Sequence, residues 1–279
     1  MKISGDRINW ARARLRGIRG NTASVNPRKD KRFQLMRAHF LEHIDPMATR
    51  GLEIGAFDLP LVEPEEGHCD FADYHATDEL KRMASELDGL NPQFVVPVNY
   101  VTAPGYDHVP RDYDWIAACH VIEHVADFIG WLQILAQHLK VGGTLFLGIP
   151  DKRYTFDVHR QVTTFSEALA AYNAKLTQPS FYQVFDFHYL YAVGIDPRSI
   201  WKGKRVPPPT RNFENAISAA HLAEAQYEDV HCSVFTPESF EVLLEELSGA
   251  KLIPYRLLSL RKTSRGMLDF SAALVHSPE

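Results

Sequence analysis

No run of about 18 apolar residues occurs in the 279-residue chain, so a membrane-spanning helix is not expected. The N-terminus lacks the apolar stretch and small-residue cleavage site of a secretory signal. Only three cysteines are present, Cys69, Cys119 and Cys232, far apart and without C-x-x-C spacing. That excludes a zinc ribbon and a disulfide framework, and a reducing cytoplasm is the expected setting. There are no internal repeats and no low-complexity tracts. The glycine-rich G-x-G-x-x-G turn of a dinucleotide site is missing as well, which argues against a pyrophosphate cradled on backbone N–H groups.

What is present is an ordinary globular composition with an uneven charge. The net charge is −5, yet residues 1–32 hold ten Lys and Arg against two Asp. Residues 1–29 read as a basic arm before a domain covering 30–279. Two readings stand for the arm: a solvated surface segment, or a contact for nucleic acid, acidic lipid or a phosphorylated acceptor.

From residue 30 onward strands and helices alternate, which predicts a doubly wound, mostly parallel seven-stranded α/β sheet of Rossmann-like type. A helix is expected over 31–44, strands over 50–56, 67–74, 94–101, 113–119 and 144–149, and a helix over 125–140 stopped by Gly142-Gly143. Thr77 looks like a helix cap, and Thr236-Pro237-Glu238-Ser239 a strong helix start. Two last strands are expected over 251–261 and 267–277. Between 152 and 231 the rhythm breaks, and the stretch is dense in aromatics such as Tyr154, Phe156, Phe187, Tyr191 and Trp201. It reads as an inserted, aromatic-rich substrate subdomain above the strand ends, an acceptor lid, or else as a structural cap.

Leu52-Glu53-Ile54-Gly55-Ala56 puts a carboxylate at a strand end and one glycine in the turn that follows. Asp73 comes 20 residues after Glu53, at the end of the next strand, where a carboxylate accepts hydrogen bonds from ribose hydroxyls. One glycine, with no phosphate cradle, suits a nucleoside that carries no phosphate.

The run 113–125, Tyr-Asp-Trp-Ile-Ala-Ala-Cys-His-Val-Ile-Glu-His-Val, followed by Leu139-Lys140-Val141-Gly142-Gly143, resembles class I S-adenosylmethionine-dependent methyltransferases. The resemblance covers about 30–151 and 235–277, and Leu52–Ala56 departs from that family's G-x-G-x-G. Pro150 to Asp157 looks like a bacterial subgroup often linked to surface-polysaccharide assembly. The resemblance implies S-adenosylmethionine as cofactor. Glu53, Gly55 and Ala56 would lie beside its methionine part and Asp73 on its ribose. Tyr74, Val101 and Thr102 would lie near the base, with Cys119 and His120 bordering the methionine moiety. Tyr74 and Val101 also fit plain core positions.

Methyl transfer to a hydroxyl is helped by a nearby base, and histidine suits the task. His120, Glu123 and His124 have i, i+3, i+4 spacing, and His231 stands just before the last helix start. His124 and His231 are the candidate bases, with Glu123 orienting one of them. The same region is similar to metal-dependent O-methyltransferases, which show Glu-x-x-Glu-His where this chain has His120-x-x-Glu123-His124. A divalent metal is therefore left open as a cofactor, with no ligand assigned. Lys152, Arg153 and Arg160 read either as holders of an anionic acceptor or as surface charge. The expected function is O-methylation of a glycan or small-molecule hydroxyl. The alternatives are methylation of RNA or another macromolecule, and a non-catalytic cofactor-binding protein.

Overall fold

Tyr113–Cys119 alternates its side chains between two apolar layers, and that fixes its place at the centre of the sheet. Trp115 and Ala117 join Phe40, Ile44, Leu61, Val62 and Phe146 on one face. Ile116 and Ala118 join Leu52, Leu145, Leu147, Phe235 and Phe270 on the other. A strand buried on both faces must be covered by helices on both sides, which is the doubly wound arrangement. The computed structural model describes residues 31–87, 90–103 and 105–278. The basic arm 1–29 lies outside the described residues.

In chain order the elements are α1 (Lys31–His43), β1 (Arg50–Ile54), β2 (His68–Asp73), α2 (Thr77–Ser85) and β3 (Tyr100–Val101), then β4 (Tyr113–Cys119), α3 (Phe128–His138) and β5 (Leu139–Pro150). There follow α4 (Phe165–Ala174), α5 (Phe181–Leu190), α6 (Pro197–Trp201), α7 (Phe213–Ala223), α8 (Pro237–Gly249), β6 (Tyr255–Arg261) and β7 (Asp269–His276). The seven strands form one sheet in the order β3-β2-β1-β4-β5-β7-β6. All neighbours are parallel except β7, which runs antiparallel to both β5 and β6. The order reverses between β1 and β4, and in open α/β sheets ligands bind outside the carboxyl ends of the strands at such a point.

Gly51 lets these two strands lie side by side, because a Cβ there would stand 1.9 Å from the Trp115 ring. Phe40 of α1 meets that ring edge to face at 5.2 Å. His39, beside it, is 1% exposed and has both ring nitrogens engaged, Nδ1 with Ser271 Oγ at 2.7 Å and Nε2 with Ser259 Oγ at 2.9 Å. Burial, helped by the positive charge of Arg261, pulls its pKa from 6.5 to about 4. The folded state therefore holds His39 neutral, and the unfolded chain takes up its proton first. Its contribution is complete above pH 6.5 and is lost as pH falls towards 4. Between pH 7 and pH 5 that amounts to about 2 kcal/mol. Denaturant titrations at the two pH values should show this loss, and His39→Leu should flatten it. An unchanged pH dependence in the variant would exclude His39 as the source.

Several elements differ from the sequence expectation. The strand expected over 94–101 shrinks to Tyr100–Val101, with a 3-10 turn over Pro92–Phe94. Pro92 and Pro97 have no N–H to give to a ladder, and the Asn91 side chain caps the turn. Thr77 is the first residue of α2 rather than its cap, and its hydroxyl accepts from Val98 N at 2.9 Å. Helix α3 starts late, at Phe128, with Asp127 accepting from Gly130 N. It runs straight into β5 at Leu139, so Gly142-Gly143 lie inside the strand and do not end the helix. They fall where the β4–β5 pairing slips, and Gly142 takes a φ of +80°. Thr236 does cap α8, in a reciprocal pair with Ser239.

The segment 152–231 adds no strand to the sheet. Its exit and return are adjacent: Asp151 bridges Phe235, and Lys152 N donates to Phe235 O at 2.9 Å. Helix α4 lies on the main core through Ala168, Phe165 and Tyr172. Helices α5 and α7 pack on each other around Val184, Ala220, Ala223, Val230 and Cys232. Among the described residues no helix is long and apolar enough to cross a membrane.

Candidate active site

The parallel register brings the expected cofactor residues to one edge. Ile54 pairs with both Ala72 and Ala118, Asp73 pairs with Val101, and Cys119 pairs with Gly148. Gly55, Asp73, Thr102 and His120 therefore sit at neighbouring strand ends. Gly55 has φ +69°, a conformation glycine takes without strain, and its N–H donates to Ala72 O. Ala56 is buried behind it. Asp73, 6% exposed, accepts from His75 N through Oδ1, and its carbonyl accepts from Thr102 N. Tyr74 is 52% exposed, so it is a surface residue and not core. Glu53 is buried, and its carboxylate accepts from Leu61 N twice at 2.9 Å. Its direct work is to shape the loop that follows β1.

The reacting end is built from two segments. His120 takes a left-handed φ of 55° right after β4, and a 3-10 turn follows over Ile122–His124. No α-helix carries His120, Glu123 and His124, yet the turn still brings them together. His120 Nδ1 is 3.5 Å and His124 Nε2 3.9 Å from Glu123 Oε1. The second segment is stitched on by Cys232 N and Ser233 N, which both donate to Glu123 O. This sets the His231 ring edge to face on the His124 ring, with centroids 4.7 Å apart.

Behind each histidine stands a carboxylate. His124 donates its Nδ1–H to Asp229 Oδ1 at 3.0 Å, and His231 donates its Nδ1–H to Asp157 Oδ2 at 2.6 Å. In this arrangement the carboxylate fixes the tautomer and turns Nε2 of each ring to the other side. Asp157 is in turn held by the buried Arg160, which also pairs with Asp186 and donates to His231 O. Burial raises the Asp157 pKa, but His231 and Arg160 outweigh it and bring it down to about 2. Burial likewise works against charge on His120, yet contacts with Asp269 at 3.2 Å and with Glu123 push its pKa up to about 9. His120 is thus a cation at neutral pH and cannot serve as a base. Burial pushes the pKa of Glu123, 1% exposed, upward, but the ion pair with His120, with the His124 and His231 rings close by, lowers it overall.

Asp157, Asp229 and Asp269 are the site residues that sequence reasoning missed. They lie 74, 105 and 149 residues from their histidines, and no local spacing could announce them. The reading of Arg160 as holder of an anionic acceptor is corrected: at 3% exposure between two aspartates it is a strut. Arg153 is bound to Asp151 and Glu238, and Lys152 Nζ donates to Val158 O.

The sheet order reverses beside the Gly55 turn, with ionisable groups one strand over, so a ligand site is expected at these strand ends. Residues 36–252 match the family described as methyltransferase domain, and the chain belongs to it. The enzyme transfers one-carbon groups with S-adenosylmethionine as cofactor. The edge fits that cofactor: a carboxylate for a vicinal diol, an open glycine turn, and no phosphate cradle. No curated protein matches the chain closely. Among solved structures it is similar to an S-adenosylmethionine-dependent methyltransferase from Clostridium acetobutylicum, at 12% identity, 96% of this chain, 98% of that one and TM-score 0.46. A Mesorhizobium loti methyltransferase shares 10% identity over 87% and 96% of the two chains, with TM-score 0.45. The CcbJ methyltransferase of Streptomyces caelestis shares 11% over 93% and 100%, with TM-score 0.43.

Proposed function

We propose that the enzyme methylates a hydroxyl group of a glycan or another small molecule, and that the proton leaves at the Glu123–His124–His231 cluster. The observation that carries this reading is the pair of imidazoles, each backed by a carboxylate, at the cofactor edge of the sheet. When bound, S-adenosylmethionine supplies an electrophilic methyl group on a sulfonium, transferred by in-line displacement. Asp73 accepts hydrogen bonds from the ribose hydroxyls, and the Gly55 turn lets the backbone approach the ligand. The segment 152–231 walls the acceptor side. Nε2 of His124 or of His231 takes the hydroxyl proton, while Asp229 or Asp157 steadies the imidazolium that forms. Glu123 adds negative charge beside it.

One observation favours a second reading of the same cluster. Neither carboxylate oxygen of the buried Glu123 receives a hydrogen bond. One ligand atom each from Glu123, His124 and His231 lie within 4.8 Å of one another. Two imidazoles and a carboxylate, with carboxylates behind the imidazoles, suit a divalent transition metal as Lewis acid. Methyl transfer to hydroxyl-bearing acceptors, assayed with and without chelator, separates the two. Activity indifferent to chelator is expected if an imidazole is the base. Loss with chelator, and recovery with an added divalent ion, would assign the metal. A product methylated on nitrogen or carbon would overturn O-methylation.

A further inference from the structure

Tyr227 lies in the connection between α7 and His231, far in sequence from the cofactor edge. Its ring nonetheless stacks on Tyr74, the residue after Asp73, with centroids 6.2 Å apart and planes 13° from parallel. Both rings remain well exposed, at 40% and 52%. Apolar burial therefore gives little reason for the pairing, and the two flat faces stand at the edge where a nucleoside would lie. The Tyr227 hydroxyl donates to Asp229 Oδ1 at 3.2 Å. That is the same oxygen that accepts from His124 Nδ1 at 3.0 Å, while the buried Oδ2 of Asp229 has no hydrogen-bond partner. One side chain thus joins the ring beside the cofactor edge to the carboxylate that orients a candidate base.

We infer that Tyr227 is a cofactor-binding residue supplied by the inserted segment, covering the adenine placed beside Tyr74. Its hydroxyl then ties that cover to the setting of His124 through Asp229. The inference rests on the cofactor reading of the Gly55–Asp73 edge. Stacking of an aromatic ring on a flat base needs the ring and not the hydroxyl; the tie to Asp229 needs the hydroxyl. Two variants therefore separate the two parts. Tyr227→Ala is expected to weaken S-adenosylhomocysteine binding by about three- to tenfold in calorimetry, without a change in melting temperature. Tyr227→Phe is expected to bind it within about twofold of the wild type, and to lower kcat severalfold at unchanged KM for the donor. Wild-type affinity in Tyr227→Ala overturns the cover, and wild-type kcat in Tyr227→Phe overturns the tie. Asp73→Ala, run beside them, keeps the two levels apart. If Asp73→Ala loses more than tenfold in affinity and Tyr227→Ala loses nothing, the role of Tyr227 alone has failed. If Asp73→Ala also binds like the wild type, the cofactor reading itself has failed.

Discussion

At least one of the variants His124→Ala and His231→Ala is expected to lower turnover by about 10²–10⁴-fold, with S-adenosylhomocysteine affinity held within about twofold. The size of the effect follows from what is removed. A hydroxyl is a poor nucleophile at neutral pH, and in each of these two rings at the cofactor edge an aspartate holds Nδ1. His120 cannot substitute, because Asp269 and Glu123 already keep it protonated. Where activity is indifferent to chelator, the variant that loses turnover marks the base, and the other ring then serves to position it. Loss of His231 leaves Asp157 still paired with Arg160, so the buried carboxylate keeps a partner and the fold is expected to survive. A melting curve on each variant checks that. His231→Gln, which retains volume without an imidazole, is expected to be as slow as His231→Ala if His231 is the base. Full activity in both alanine variants would remove proton abstraction from the mechanism and leave alignment alone.

The fold was legible where burial imposes a pattern. Strand β4 reads as buried on both faces, and the Thr236-Pro237 cap announces α8. The order and spacing of Glu53, Gly55 and Asp73 put them at the ends of two neighbouring strands, where the register of β1 and β2 brings them. Strand β3 is shorter than its sequence suggests because Val95, Val96 and Val98 are β-favouring in composition, while Pro92 and Pro97 break the ladder. Helix α3 ends before the Gly142-Gly143 pair, because a glycine pair marks helix ends and strand irregularities alike. For the site, the histidines and Glu123 stood out by their types and spacing. Their carboxylate partners did not, since an aspartate 105 residues away looks like any other aspartate. The same holds for Arg160, since sequence does not distinguish a buried strut from a surface cation. Tyr227 carried no signal until the fold placed it against Tyr74.

In the proposed function, this edge of the sheet binds the nucleoside of a sulfonium methyl donor through Asp73. Calorimetric titration of S-adenosylhomocysteine into the wild type and into Asp73→Ala tests it most directly. Asp73 stands at the end of β2 with one carboxylate oxygen accepting from His75 N, beside the open Gly55 turn. Hydrogen bonds from a diol to such a charged acceptor contribute about 1.5–3 kcal/mol. One saturable site is expected in the wild type, with an affinity lower by roughly 10- to 150-fold in Asp73→Ala. No binding by the wild type, or equal affinity in the two proteins, would contradict it.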